Sequence, residues 1–105
     1  MLKECQLMHN EKCEHALKSI NAMLAEGGFS EWQKFRSCNA QISLNWYGVH
    51  VLKSYNTIVA VYDEETGTGY DFLRYVYGYT ATSAQHIAKF FNQYRPTTIH
   101  TWRNV

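Results

Sequence analysis

The sequence predicts an α+β fold with a long N-terminal helix, a short second helix, a small and mainly antiparallel sheet of three to four strands, and a C-terminal helix packed on that sheet. Three observations carry this. Apolar residues between 3 and 26 recur at spacings of three and four. Two later runs, "NTIVAVYD" and "YDFLRYVYGYT", are rich in β-branched and aromatic residues and flank a turn. A second helical rhythm over 83–94 is stopped by Pro96. Helices at the ends with a hairpin between them is the order of an α+β fold, not of alternating α/β.

The first helix is expected over 3–26. Cys5, His9, Cys13, Ala16, Leu17, Ile20, Met23 and Leu24 fall on one face, and Glu14 and Lys18 form a favourable i,i+4 pair on another. Gly27-Gly28 ends it, because glycine accepts the left-handed C′ conformation cheaply. Ser30 and Gln33 have capping-box spacing, which predicts a helix of about two turns carrying Trp32 and Phe35. Ser37–Ala40 reads as a connection. In "AQISLNWYGVHVLKS", Gly48 marks a bulge or tight turn. "NTIVAVYD" is apolar almost throughout, the pattern of a central strand buried on both faces.

"EETGTG" is the hairpin turn. In the strand after it, Leu73, Tyr75, Tyr77 and Tyr79 share one face and Tyr70, Phe72, Arg74 and Val76 the other. Thr82 and Gln85 again have capping-box spacing. The helix over 83–94 then turns Ile87, Phe90, Phe91 and Tyr94 inward. "TTIHTWRN" reads as a last strand. Both helices are expected on one face of the sheet.

A chain of 105 residues fits one domain, 1–105, and is long enough to bury a core without disulfides. Ten Lys/Arg against nine Asp/Glu give a formal charge of +1, a poor footprint for a protein that coats nucleic acid. The start "MLKECQLMHNEKCEH" is polar, with no signal-peptide core, and no stretch reaches the length of a membrane span. Three cysteines, an odd number, read as reduced thiols. The expectation is a cytoplasmic protein of a bacterial host cell, monomeric or homodimeric, without a cofactor.

Candidate chemistry is sparse. Cys5, His9 and Cys13 share a helical face, and His15 or Cys38 could complete a zinc tetrahedron. Yet positions 5 and 13 are about 12 Å apart along the axis, too far for both sulfurs to reach one ion, so only one Cys–His pair plus outside ligands could serve. The simpler reading is small apolar thiols filling an inward face. Cys38, with Arg36 near it, has no sequence signature of a thiol nucleophile. "ETGTG" lacks phosphate-loop spacing. Thr80, Thr82 and Ser83 crowd the helix N-terminus, which either holds an anion near His86 and Lys89 or is capped by Thr82 or Ser83; the spacing sets His86 and Lys89 away from Ile87 and Phe91.

Two surfaces follow. Asp63, Glu64 and Glu65, with Tyr75, Tyr77 and Tyr79, make a candidate protein-binding surface of acids and amphipathic rings. Lys53, Arg74, His86, Lys89, Arg95 and Arg103 make the alternative, a set of phosphate contacts for nucleic acid.

The run "LKSYNTIVAVYD…YVYGYTATSAQHIAKF" resembles a family of small uncharacterised proteins from bacteriophages and mobile elements of Gram-positive gut bacteria. Their pattern is a "SYNT-x-VA" strand, a tyrosine-rich strand, then "TTS-x-x-H-I-x-KF". It maps here to Ser54–Ala60, Tyr75–Tyr79 and Thr82–Phe90. This chain departs in reading Thr-Ala-Thr-Ser, and its first 40 residues lie outside the resemblance. The resemblance implies a fold and a mobile-element origin, not a chemistry. The chain is also similar in kind to anti-CRISPR proteins, including inhibitors of type II RNA-guided nucleases. The functional expectation is therefore a non-enzymatic inhibitor acting by protein binding, with a type II CRISPR nuclease as the concrete partner. The alternative is a nucleic-acid-binding accessory protein of a mobile element.

Overall fold

The computed structural model describes residues 2–35, 37–45, 47–55, 57–72 and 81–102. Its elements in chain order are α1 (Leu2–Glu26), β1 (Gln33–Phe35), β2 (Ser37–Leu44), β3 (Val49–Ser54), β4 (Thr57–Asp63), β5 (Thr68–Asp71), α2 (Ala81–Tyr94) and β6 (Thr98–Thr101). The α+β class holds. The sheet has six strands in sequence order, where three to four were expected. β1 to β5 form an antiparallel meander, and β6 lies parallel to β5, so the sheet is mixed. A parallel neighbour needs a crossover connection, and the segment carrying α2 supplies it.

The short helix after Gly28 is not present. Gln33–Phe35 is strand β1, paired Gln33 to Ile42 and Lys34 to Gln41. A two-turn helix is marginal by itself, and the pairing offers the same backbone a sheet edge instead. Ser30 does not cap a helix. Its Oγ accepts from the Leu44 N–H at 3.2 Å, and its carbonyl accepts from the Ser43 hydroxyl at 2.6 Å. Ser37–Ala40, expected as a connection, is the first half of β2. β5 ends at Asp71, and Tyr75, Tyr77, Tyr79 and Arg74 lie outside the described residues.

The two helices cover opposite faces of the sheet, not one face. Alternation along β3 shows this. Val49 and Val51 join Cys13 and Ile20 of α1, Val61, Phe72 and Trp102 in one core. Leu52, between them and Lys53, joins Ile87 and Phe90 of α2, with Phe35, Ala40, Val59 and Ala60, in the other. A strand apolar on both faces needs cover on both sides, and β4 has that pattern: Val59, Ala60 and Val61 are all buried.

The sheet is irregular between Lys34 and Phe35 on β1 and again one strand beyond Gly48. Leu52 pairs with Ala60 but Lys53 pairs with Ile58, so Val59 is an inserted bulge residue. Gly48, at φ 80°, instead closes a tight turn, its N–H donating to the Asn45 carbonyl at 3.3 Å. The Asn45 side-chain oxygen accepts from the N–H groups of Tyr47 and Val49.

α2 begins at Ala81, so Thr82 and Ser83 sit inside its first turn and do not cap it from outside. Ser83 is fully buried. Tyr94 ends the helix, and Arg95 takes a left-handed φ of 50° ahead of Pro96. Gly69 on β5 makes room for this end: a Cβ there would stand 2.8 Å from a Phe91 ring carbon and 3.0 Å from Pro96 Cγ.

Candidate functional site

The acidic turn Asp63–Glu65 divides into three roles. Asp63 Oδ1 accepts from the Glu65 N–H at 3.0 Å, which fixes the turn. Glu64 leans over the β2–β3 turn: its N–H donates to the Gly48 carbonyl at 3.0 Å, and a Cβ on Gly48 would lie 2.9 Å from its carboxylate. Glu65 projects into solvent. The two turns therefore share one end of the molecule, and Tyr47, at 74% exposure, stands there with the Glu64 carboxylate, whose side chain is 66% exposed. Leu44, also exposed, ends the adjoining strand β2. Sequence reasoning selected the acids and missed Tyr47 and Leu44. No periodicity marks them, because their exposure comes from how the two turns meet.

Behind Glu64 is His50. Its Nε2 is buried without a hydrogen-bond partner, 3.8 Å from Glu64 Oε2. That separation is too long for a hydrogen bond. Burial lowers the His50 pKa, with Glu64 opposing the shift, so the ring is neutral at pH 7. The His50 ring packs tilted against Tyr94 at 4.3 Å between centroids, and Tyr94 stacks on Tyr62 at 5.3 Å. His50 and Tyr94 line a cavity of about 670 Å³ with Phe29, Ile42 and Leu44.

At the opposite end of β3, Ser54 Oγ lies 3.0 Å from Ser83 Oγ and 2.9 Å from His86 Nδ1. The three groups come from the two halves of the pattern "SYNT…TATSAQHI", 29 and 32 residues apart. His86 was expected on the outer side of its helix. It faces inward, 6% exposed, and burial lowers its pKa, assisted by Lys89. A hydroxyl beside a histidine has the composition of a nucleophilic pair. Ser54 and Ser83 are both 0% exposed, so no substrate reaches either hydroxyl in this conformation. The trio binds the β3–β4 hairpin to α2. Tyr55, next to Ser54, adopts φ 52° at the hairpin tip and is half exposed.

The described members of the basic set do not form one stripe. Lys53 lies on the α1 side, with its Nζ 4.0 Å above the Trp32 ring. His86 is inward on the α2 side, and Lys89 is exposed on α2. Arg95 sits at the other end of α2 from His86. Arg74 and Arg103 lie outside the described residues.

Of the helical thiols, Cys13 is fully buried, and its Sγ–H donates to the His100 carbonyl at 3.3 Å. Burial, with Asp71 adding to it, pushes this thiol up to about 12, which removes it as a nucleophile at neutral pH. The side chains of Cys5 and Cys38 lie outside those described. His9 is not an isolated core residue. Its Nδ1 faces Nδ1 of His100 on β6.

No curated protein and no solved structure matches the chain. A family model matches residues 25–102, which takes in the whole sheet, the Ser54–Ser83–His86 trio and the acidic turn. The chain belongs to that family, DUF8033, a family of unknown function.

Proposed function

We propose that this protein is a non-enzymatic, protein-binding inhibitor of phage or mobile-element origin, working in the cytoplasm of a bacterial host. In its most concrete form it blocks a type II RNA-guided nuclease by docking its acidic, tyrosine-bearing end on that enzyme's basic nucleic-acid channel. The carrying observation is the contact between the Glu64 N–H and the Gly48 carbonyl, which sets the exposed acidic turn beside Tyr47, the most exposed large hydrophobic side chain among the described residues. Carboxylates on a rigid turn can replace phosphates against Lys and Arg, and an adjacent tyrosine supplies contact area at small entropic cost. Rigid turns keep the cost of ordering on binding low.

The fold is compatible with this. Among the described residues no helix is long and apolar enough to cross a membrane. The Ser54–His86 pair is sealed from substrate, and the Cys13 thiol is held protonated.

The test is a plasmid-cleavage assay with several guide-loaded type II nucleases and increasing amounts of this protein. Dose-dependent protection with co-elution on size exclusion supports the reading. Reversing Glu64 and Glu65 to Lys should then weaken protection at least about tenfold, and Tyr47→Ala should weaken it too. Absence of protection and of co-elution across the panel overturns it. Binding to DNA or RNA that falls steeply with salt would favour the nucleic-acid alternative instead.

A further inference from the structure

We propose that His9 on α1 and His100 on β6 form a two-histidine site for one divalent transition-metal ion, zinc above all, joining the helix to the sheet. The two rings meet through like atoms: Nδ1 of His9 lies 2.5 Å from Nδ1 of His100, with centroids 4.7 Å apart and planes tilted by 47°. A neutral imidazole carries one proton and one lone pair, so such a contact is satisfied by a single proton held between two lone pairs. A metal ion takes the place of that proton and uses both lone pairs. Zinc–nitrogen bonds of about 2.0–2.1 Å require the two nitrogens to stand about 3.4 Å apart in a tetrahedron, an opening of about 1 Å that side-chain rotation supplies.

The surroundings hold the rings in place. One turn before His9, Gln6 donates from Nε2 to the Thr101 carbonyl at 2.8 Å and to Asn10 Oδ1 at 2.7 Å. One turn after it, Cys13 donates to the His100 carbonyl. α1 is thus fastened to β6 through backbone carbonyls on both sides of the pair, which keeps the two backbones that carry the rings together. Beside the pair lie Lys12 and Cys13 from α1 and Tyr70 from β5, whose ring is 5.5 Å from that of His100. Among the described residues no set of three His, Cys, Asp or Glu side chains forms a metal cage, so the ligands they supply to this ion are the two imidazoles. The site joins a residue inside the family match to one outside it.

The experiment is calorimetric titration of the chelator-stripped full chain with zinc chloride at pH 7.5, with thermal melts in zinc and in chelator. One ion is expected per chain, and Tm should rise by about 10–20 °C at about 100-fold excess over the dissociation constant. His9→Ala should weaken binding at least about tenfold while its melt in chelator shows a folded chain. His15→Ala, an exposed histidine on the same helix, should bind as the parent does. No binding below about 1 mM, or His9→Ala and His100→Asn chains that bind zinc as the parent does, overturns the proposal.

Discussion

Replacing Ser54 by alanine tests the reading of the buried trio directly. The substitution removes one oxygen that stands 3.0 Å from Ser83 Oγ and 2.9 Å from His86 Nδ1, at a position with 0% exposure. Each such hydrogen bond contributes about 0.5–1.5 kcal/mol net, so the loss is about 1–3 kcal/mol. For a chain of this size each kcal/mol moves Tm by roughly 4–8 °C, which predicts a fall of about 5–20 °C. Differential scanning calorimetry at pH 7.5 reads this shift. Ser83→Ala should lower Tm as well, because it breaks the contact with Ser54. The double variant should fall short of the sum of the singles, since Ser54 and Ser83 are in contact. A Ser54→Ala chain with unchanged Tm, or single effects that add fully, would refute the claim that this trio fastens the hairpin to α2.

Further outcomes follow from other sites. His50, His86 and His100 all have pKa values lowered by burial, so the unfolded chain binds more protons than the folded one below pH 6.5. The stability they contribute is therefore complete above pH 6.5 and declines as pH falls from there, and urea midpoints between pH 7.5 and 5 should decrease steadily. A flat profile would contradict the neutral burial of these rings. Gly69→Val should destabilise by about 1–3 kcal/mol, because its side chain meets Phe91 and Pro96; a chain of unchanged midpoint would mean that the end of α2 yields freely. Cys13 should resist alkylation at pH 8 in the native state and react once urea unfolds the chain, as read by peptide mass mapping. Rapid native labelling would show that α1 opens from the sheet.

The sequence by itself determined what depends on near neighbours. The spacing of Cys13, Ile20 and their companions gave α1, Gly27 its end, and the apolar run of β4 a strand with two buried faces. It also selected the acidic turn, since charged and glycine residues between two strands have few other uses. What failed was long-range. Ser30 and Gln33 have the spacing of a helix start, but the strand partner that claims Gln33 is Ile42, nine positions on. Two apolar helical stripes do not say which sheet face each covers; the connections place α1 and α2 on opposite sides.

The candidate sites divide in the same way. Glu64 and Glu65 were legible as acids, but Tyr47 joins them only because the turns of Gly48 and Glu64, 16 positions apart, are tied by a hydrogen bond. Ser54 meets Ser83 and His86, and His9 meets His100 across 91 positions, because a sheet folded between two helices brings distant segments together. Local pattern determines which elements form, through backbone sterics and the periodicity of burial. Tertiary packing decides which polar groups meet, because partners for buried donors and acceptors are chosen by three-dimensional proximity and not by spacing along the chain.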